Sequence, residues 1–226
     1  NSLAGRVADI HYLIPKYKLQ IHSEHFQKVS HNLLGVKGAK IKDIKTVRSH
    51  SQAIDQCRKI ISNNNFKTII SADTAGSAKY VSEKNDTSES AIASELAAKI
   101  YNLEILKSNV EDEFGNTTRF LILQKDSIHP KLGDKKYITS CIFKLKSIPA
   151  ALYKALGGFA TNGVNLCKLE SFSIKNTFDQ VNFYIDIEGH IEDISLQKAL
   201  EELGFHTQKL DILGVYEAHP FRSKNK

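Results

Sequence analysis

Three short polar clusters hold the residue types that chemistry needs. The first is Ser49-His50-Ser51-Gln52, continuing to Gln56 and Cys57 one to two helical turns on. The second is Ser71-Ala72-Asp73-Thr74-Ala75-Gly76. Both fall where a strand pattern gives way to a helix pattern, and free N–H groups at a helix start can receive a carboxylate. Ordinary capping is the alternative for each. The third is Asn116-Thr117-Thr118-Arg119-Phe120, which enters an apolar run. An arginine beside buried apolar residues is costly unless paired. Arg119 therefore wants a carboxylate ligand or an internal acid, and Glu111, Asp112 and Glu113 are close in sequence.

Other chemistry finds less support. His22 and His25 lie in an alternating, strand-like stretch that sends them to opposite faces, so no metal site is read there. No G-x-x-x-x-G-K-[ST] phosphate loop and no G-x-S-x-G elbow occurs.

The elements that must position these clusters follow from periodicity. Val7, Ile10, Leu13 and Ile14 have helix spacing, ended by Pro15. Strand patterns cover 19–24, 29–36, 44–47 and 67–72. Ser49 reads as the cap of a helix carrying Ala53, Ile54, Cys57, Ile60 and Ile61, and Asp73 or Thr74 as the cap of the next. Ile92, Leu96 and Ile100 predict a helix over 90–101, and Thr117–Leu123 predicts a strand buried on both faces. Alternating strands and helices to this point indicate an α/β layer. The stretch 126–136 has no periodicity and reads as a linker. Beyond it come a strand at 137–145, a helix led by Pro149, strands at 164–174 and 181–187 around a Lys175-Asn176 turn, a helix at 196–203 closed by Gly204, and a strand at 208–215. That order is βαββαβ, the ferredoxin-like split unit.

Bulk properties agree with a globular chain. Lys and Arg total 31 against 25 Asp and Glu, 41% of residues are apolar and 25% charged. These values exclude a disordered polyelectrolyte, and no run approaches the ~20 apolar residues of a membrane helix. The basic residues Lys37, Lys40, Lys42, Lys45 and Arg48 alternate with apolar ones and lack stacking aromatics, so no nucleic-acid partner and no membrane partner is expected. The basic end Phe221-Arg222-Ser223-Lys224-Asn225-Lys226 reads as a frayed tail. Three cysteines without a C-x-x-C pair suit a reducing cytoplasm, and there is no signal-peptide pattern. Methionine is absent, so the chain carries no initiator.

The clusters resemble the motifs of prephenate dehydratases with a C-terminal ACT domain. Asn1-Ser2-Leu3-Ala4-Gly5-Arg6-Val7 is similar to the segment that follows that family's Pro-x-Glu. Ser49-His50-Ser51-Gln52-Ala53-Ile54-Asp55-Gln56-Cys57 resembles its Ser-His-Pro-Gln-Ala-x-x-Gln-Cys signature, with Ser51 where proline is usual. Asp73-Thr74-Ala75-Gly76-Ser77-Ala78 resembles Asp-Thr-Ala-Gly-Ala-Ala, and Thr118-Arg119-Phe120 matches Thr-Arg-Phe. In the second module, Pro149-Ala150-Ala151-Leu152 and Asn165-Leu166-Cys167-Lys168-Leu169-Glu170-Ser171 resemble the amino-acid-binding segments of ACT domains. Ala150 stands where glycine is usual, and Phe172-Ser173 replaces Arg-Pro.

The resemblance implies an α/β chain: a partial two-lobed, periplasmic-binding-protein-like domain over 1–126, a linker at 127–136, a ferredoxin-like ACT domain over 137–218 and a tail at 219–226. It implies a lyase that turns prephenate into phenylpyruvate, losing CO₂ and water without a cofactor or a metal. Thr118 would act at the leaving hydroxyl, and Arg119 would hold a carboxylate or orient the site. Asn1, Ser49, Gln56, Thr74 and Phe120 would line the substrate cleft, with His50 a structural neighbour. Ala150, Ala151, Leu152, Asn165, Leu166, Glu170 and Ser171 would meet L-phenylalanine as effector, in a homodimer or homotetramer. The start at Asn1 raises the expectation that most of one catalytic lobe precedes it and that residues 1–226 alone are inactive. Arogenate dehydration and a non-catalytic amino-acid-binding ACT sensor are the alternatives.

Overall fold

The computed structural model describes residues 1–3, 5, 10–113, 115–126, 128–173 and 181–224. In chain order its helices are α1 (Ile10–Lys16), α2 (Ser51–Gln56), α3 (Arg58–Asn63), α4 (Thr74–Lys84), α5 (Glu95–Ile100), α6 (Ala151–Thr161), α7 (Ile194–His206) and α8 (Phe221–Lys224). Its strands are β1 (Gln20–Lys28), β2 (Asn32–Gly35), β3 (Thr46–Ser49), β4 (Lys67–Ile70), β5 (Glu89–Ala93), β6 (Glu104–Lys107), β7 (Thr117–Gln124), β8 (Tyr137–Leu145), β9 (Leu166–Ser173), β10 (Val181–Glu188) and β11 (Thr207–Glu217). The chain divides into two compact units. One is Asn1–Arg6 with Gln27–Thr118, the other Val7–Phe26 with Arg119–Lys226. The stretch expected as a linker, 127–136, lies within the second unit.

The first unit is a five-stranded mixed sheet in the order β4-β3-β5-β2-β6. β3 runs parallel to β4 and β5, while β2 runs antiparallel to β5 and β6. Leu33, Leu34, Val47, Ala91 and Ile92 form the buried sheet face, covered by Ala53, Cys57 and Ile60 of the α2–α3 region and by Ala78 and Val81 of α4. The carboxyl ends of β3, β4 and β5 each lead into a capped helix. His50 caps α2, Asp73 caps α4 through a 2.6 Å bond from the Gly76 N–H, and Ser94 caps α5. Such strand ends are where open α/β sheets present ligand sites.

Three expectations are corrected in this unit. Ser49 is the last residue of β3, not a cap; its hydroxyl is buried and donates to the Ile92 carbonyl at 2.6 Å. The helix after it breaks at Cys57, because Asp112 accepts the N–H groups of Arg58 and Lys59 at 2.9 and 3.0 Å and starts a new one. The helix expected over 90–101 is a strand, β5, followed by the short α5. Every residue of β5 is buried, so its apolar run serves both faces of a central strand. Leu96 and Ile100, read as an inner helix face, are 64% and 63% exposed.

The second unit holds a four-stranded antiparallel sheet in the order β11-β8-β10-β9, with α6 and α7 in the two crossovers. One sheet face packs Cys141, Phe143, Ile185 and Ile187 against Ala155 and Phe159 of α6 and Leu196, Ala199 and Leu203 of α7. The other face packs Ile138, Ile142, Tyr184, Leu213 and Tyr216 against Ile14 of α1 and Ile21 of β1. Both faces are thus covered, and most of β8 is buried. β1 also pairs with β7 in a two-stranded sheet. β7 is less buried than its apolar run suggested: Phe120 and Ile122 are 53% and 48% exposed, as befits one of only two strands. Pro15 lies inside α1, in its last turn, and α7 continues through Gly204 to His206. Most of the helix start expected at residues 4–9, and the Lys175-Asn176 turn, lie outside the described residues.

Candidate active site

In the first unit one connected group of hydrogen bonds gathers residues from both ends of the sequence. The Asn1 amide donates to Asn116 Oδ1 at 2.7 Å and to Thr118 Oγ1 at 2.9 Å. The Asn116 amide donates to Gln56 Oε1 at 2.6 Å. His31 Nε2 meets the same Gln56 oxygen at 3.1 Å. Asn116 and His31 are buried, while Asn1, Gln56 and Thr118 are half-buried and keep a face toward solvent. Backbone bonds hold the group in place. The Ser2 N–H donates to the Thr117 carbonyl at 2.9 Å, Val29 N–H donates to the Asn116 carbonyl, and Asp112 N–H donates to the Gln56 carbonyl at 2.7 Å.

Two of the expected substrate residues, Asn1 and Gln56, and the expected catalytic Thr118 therefore come together. Asn116 and His31 join them, and sequence reasoning had no role for either. Asn116 was visible only as a neighbour in the third cluster, and His31 sat in a strand-like stretch without a motif. No hydrogen bond among the described residues joins Ser49 or Thr74 to this group. Ser49 is spent on Ile92, and Thr74 is the first residue of α4, half-buried. His50 accepts the Gln52 N–H at 3.2 Å, a capping role. Burial, with Asp112 and Glu111 nearby, pushes the Cys57 thiol up to about 12, so it stays neutral and unreactive.

Arg119 has gone to the second unit. Its Nε donates to Glu24 at 2.6 Å, one terminal nitrogen to Asp186 and the other to the Tyr216 hydroxyl at 2.6 Å. The internal-acid alternative holds, but with other acids than expected: Glu111 accepts the His31 N–H and Asp112 caps α3. Burial works to lower the Arg119 pKa, yet Asp186, with Tyr216, Tyr184 and Glu24, outweighs it and holds the guanidinium above its ordinary value. Arg222 grips Glu24 with two bonds of 2.6 and 2.8 Å, so the chain is anchored at that residue rather than frayed; Asn225 and Lys226 lie outside the described residues. Burial pushes both carboxyls up, but Arg222 and Arg119 at Glu24, and Arg119 with Ser140 and Tyr184 at Asp186, outweigh it and hold both below the ordinary carboxylate range. Phe120 follows, half-exposed.

The residues expected at an effector site cluster at one end of α6 and along the edge strand β9. Ala150 precedes α6 at φ +57°, with Ala151 and Leu152 in the first turn. The Asn165 carbonyl accepts the Glu188 N–H, Leu166, Glu170 and Ser171 lie on β9, and Glu170 pairs with Lys168 at 3.0 Å.

Comparison with known proteins gives a consistent result. The family model described as prephenate dehydratase matches residues 1–128. A bifunctional N-acyl-homoserine lactone acylase/prephenate dehydratase of Komagataeibacter europaeus is 45% identical over 224 residues, covering 99% of this chain and 80% of that protein. Arogenate dehydratase/prephenate dehydratase 1 of Arabidopsis thaliana, chloroplastic, is 38% identical, over 96% of this chain; the chain spans 58% of that relative's length. A solved prephenate dehydratase in complex with L-Phe, from Arthrobacter aurescens, is 28% identical with a TM-score of 0.79, covering 88% of this chain and 66% of that one.

Proposed function

The chain belongs to the prephenate dehydratase family, a family of lyases, and on that premise we propose that it supplies the donor side of a site that converts prephenate to phenylpyruvate. The observation that carries the reading is the direction of the bond at Thr118. Asn1 donates to Thr118 Oγ1, so the hydroxyl's lone pair is engaged and its own proton can point elsewhere. That leaves Thr118 as a donor to the hydroxyl that must leave the substrate ring. The reaction balances simply. The C–C bond to the ring carboxylate breaks, its electron pair enters the ring, and the ring C–O bond breaks. The departing hydroxyl takes one proton and leaves as water, and CO₂ is released. Aromatisation drives the step, and no redox partner is needed. Thr has no acidic pKa of its own, so Thr118 acts as a hydrogen-bond donor or hands on a proton that solvent replaces. Gln56 and Asn1 offer amides to the substrate's carboxylates.

Phenylalanine control is part of the same reading. It rests on the resemblance of the β9 and α6 segments to ACT domains and on the L-Phe complex of the Arthrobacter relative. Arogenate is the second reading, favoured by the naming of the Arabidopsis relative. It differs only by an amine in place of the keto group. Acyl transfer, the other activity named for the Komagataeibacter relative, wants a nucleophile paired with a base. Here His31 reaches Gln56 rather than Thr118, so that activity is not assigned. Two of the three free thiols are buried, which fits the proposed cytoplasmic location.

The test is phenylpyruvate formation from prephenate by the native protein, with arogenate in parallel. Thr118→Ala should lower kcat by roughly 10²-fold or more while leaving the circular dichroism unchanged. Near-normal turnover by that variant removes Thr118 from the mechanism.

A further inference from the structure

We propose that His31 is a positioning residue that fixes the direction of the Gln56 side-chain amide, so that its NH₂ faces the anionic substrate. The inference rests on the reading of the site as one for a dicarboxylate.

The argument starts from a backbone group whose polarity cannot change. The Leu3 N–H donates to Asn1 Oδ1 at 3.0 Å. The oxygen of Asn1 is thereby fixed, and its NH₂ must be the end that meets Asn116 and Thr118. Asn116 accepts through Oδ1 and so presents its own NH₂ to Gln56 at 2.6 Å. Gln56 must answer with oxygen. His31 Nε2 meets that same oxygen at 3.1 Å, which demands a proton on Nε2. Both lone pairs of the Gln56 carbonyl are then in use, and the Gln56 NH₂ is the end left for a ligand.

His31 is held well enough for this task. The residue is only 7% exposed. Its N–H donates to Glu111 at 3.0 Å and its carbonyl accepts the Val110 N–H at 2.8 Å. An inverted Gln56 would turn a carbonyl oxygen toward a carboxylate, so His31 favours substrate binding by opposing that inversion. The effect belongs to binding of the ground and transition states alike and should appear in KM.

The experiment uses nitrogen NMR of the imidazole in the native protein, together with kinetics of His31→Phe and His31→Gln. The ring should be protonated at Nε2 at neutral pH. His31→Phe, which keeps bulk but no donor, should raise KM for prephenate about tenfold with kcat within about threefold. His31→Gln, whose amide reaches a similar point, should recover most of the loss. An imidazole unprotonated at Nε2 overturns the proposal whatever the variants do. So does an unchanged KM in His31→Phe, or an equal fall in both variants. Absence of turnover in the full-length native protein would instead refute the dehydratase reading, and the imidazole signal would still decide the polarity.

Discussion

Asp186→Asn tests the buried ionic group of the second unit, and its cost can be worked out from the partners. Asp186 is fully buried and Glu24 is 5% exposed. Asp186 accepts from Arg119 on one oxygen and from Ser140 and Tyr184 on the other. Glu24 accepts Arg119, two bonds from Arg222 and the His219 N–H. The group therefore holds two cations against two anions. Asparagine removes one anion and must turn an NH₂ toward either Arg119 or the two hydroxyls. Leaving one member of a buried pair uncompensated costs about 3–5 kcal/mol. With a urea slope of about 2 kcal/mol/M, the midpoint should fall by roughly 1.5–2.5 M. Tyrosine near-ultraviolet dichroism is a suitable signal, since the chain has no tryptophan and Tyr184 and Tyr216 border the group. The pH dependence has a definite sign. Arg119 and the hydroxyls hold the Asp186 carboxyl below its ordinary value despite burial. Its contribution is therefore complete above about pH 4 and is lost as pH falls through the depressed native value. The gap between wild type and variant should be widest near neutrality and close on acidification. A midpoint loss under about 0.5 M, or a gap that does not change with acid, would refute the reasoning.

Other outcomes follow from single positions. A Cβ on Gly214 would lie 2.1 Å from the Ile21 carbonyl oxygen, so Gly214→Ala should destabilise the second unit by about 3 kcal/mol or more in the same urea assay. Ala150 sits at φ +57°, a region that costs a non-glycine residue roughly 1 kcal/mol, so Ala150→Gly should raise the melting temperature slightly. Cys57 and Cys141 are buried with thiols pushed up by burial, so a thiol reagent at pH 8 should label only the half-buried Cys167 before unfolding.

Much of the fold was legible because its signals are local. The order of elements after residue 137 follows from periodicity, and strand β8 matches the expected 137–145. A cap at the start of α4 follows from side-chain chemistry, and of the two candidates Asp73 and Thr74 the structure uses Asp73. Failures arose where burial was decided by distant partners. The run Ser90-Ala91-Ile92-Ala93 suits a helix face and a fully covered central strand equally well, and only its neighbours β2 and β3 make it a strand. Likewise Cys57 breaks a continuous helical pattern because Asp112, far along the chain, caps a new helix. In the hydrogen-bonded group proposed as the site, the motifs had pointed to Asn1, Gln56 and Thr118. His31 was not, because its role depends on one ring nitrogen meeting one amide oxygen.

Adjacent residues in a motif need not share a ligand. Thr118 and Arg119 are consecutive in β7, and successive side chains of a strand leave from opposite faces. The structure gives each a different set of partners: an amide for Thr118, and two carboxylates with a phenol for Arg119. Those three bonds use all three guanidinium nitrogens, Arg119 Nε and both terminal ones. Two of the five guanidinium N–H donors remain, one on each terminal nitrogen, but the Nε is taken by Glu24, and both acids have further donors that hold them against Arg119. Of the two roles that the motif suggested for Arg119, the orienting one is compatible with this bonding. It ties β7 to β1 through Glu24 and to β10 through Asp186. The contrast gives Thr118→Ala and Arg119→Met different signatures. The first should reduce kcat without loss of stability, while the second should lower the urea midpoint, by leaving Asp186 buried without its cation, before any kinetic effect is read. If Arg119→Met proves as stable as wild type yet loses binding of prephenate, the guanidinium is a substrate ligand and the anchoring argument fails.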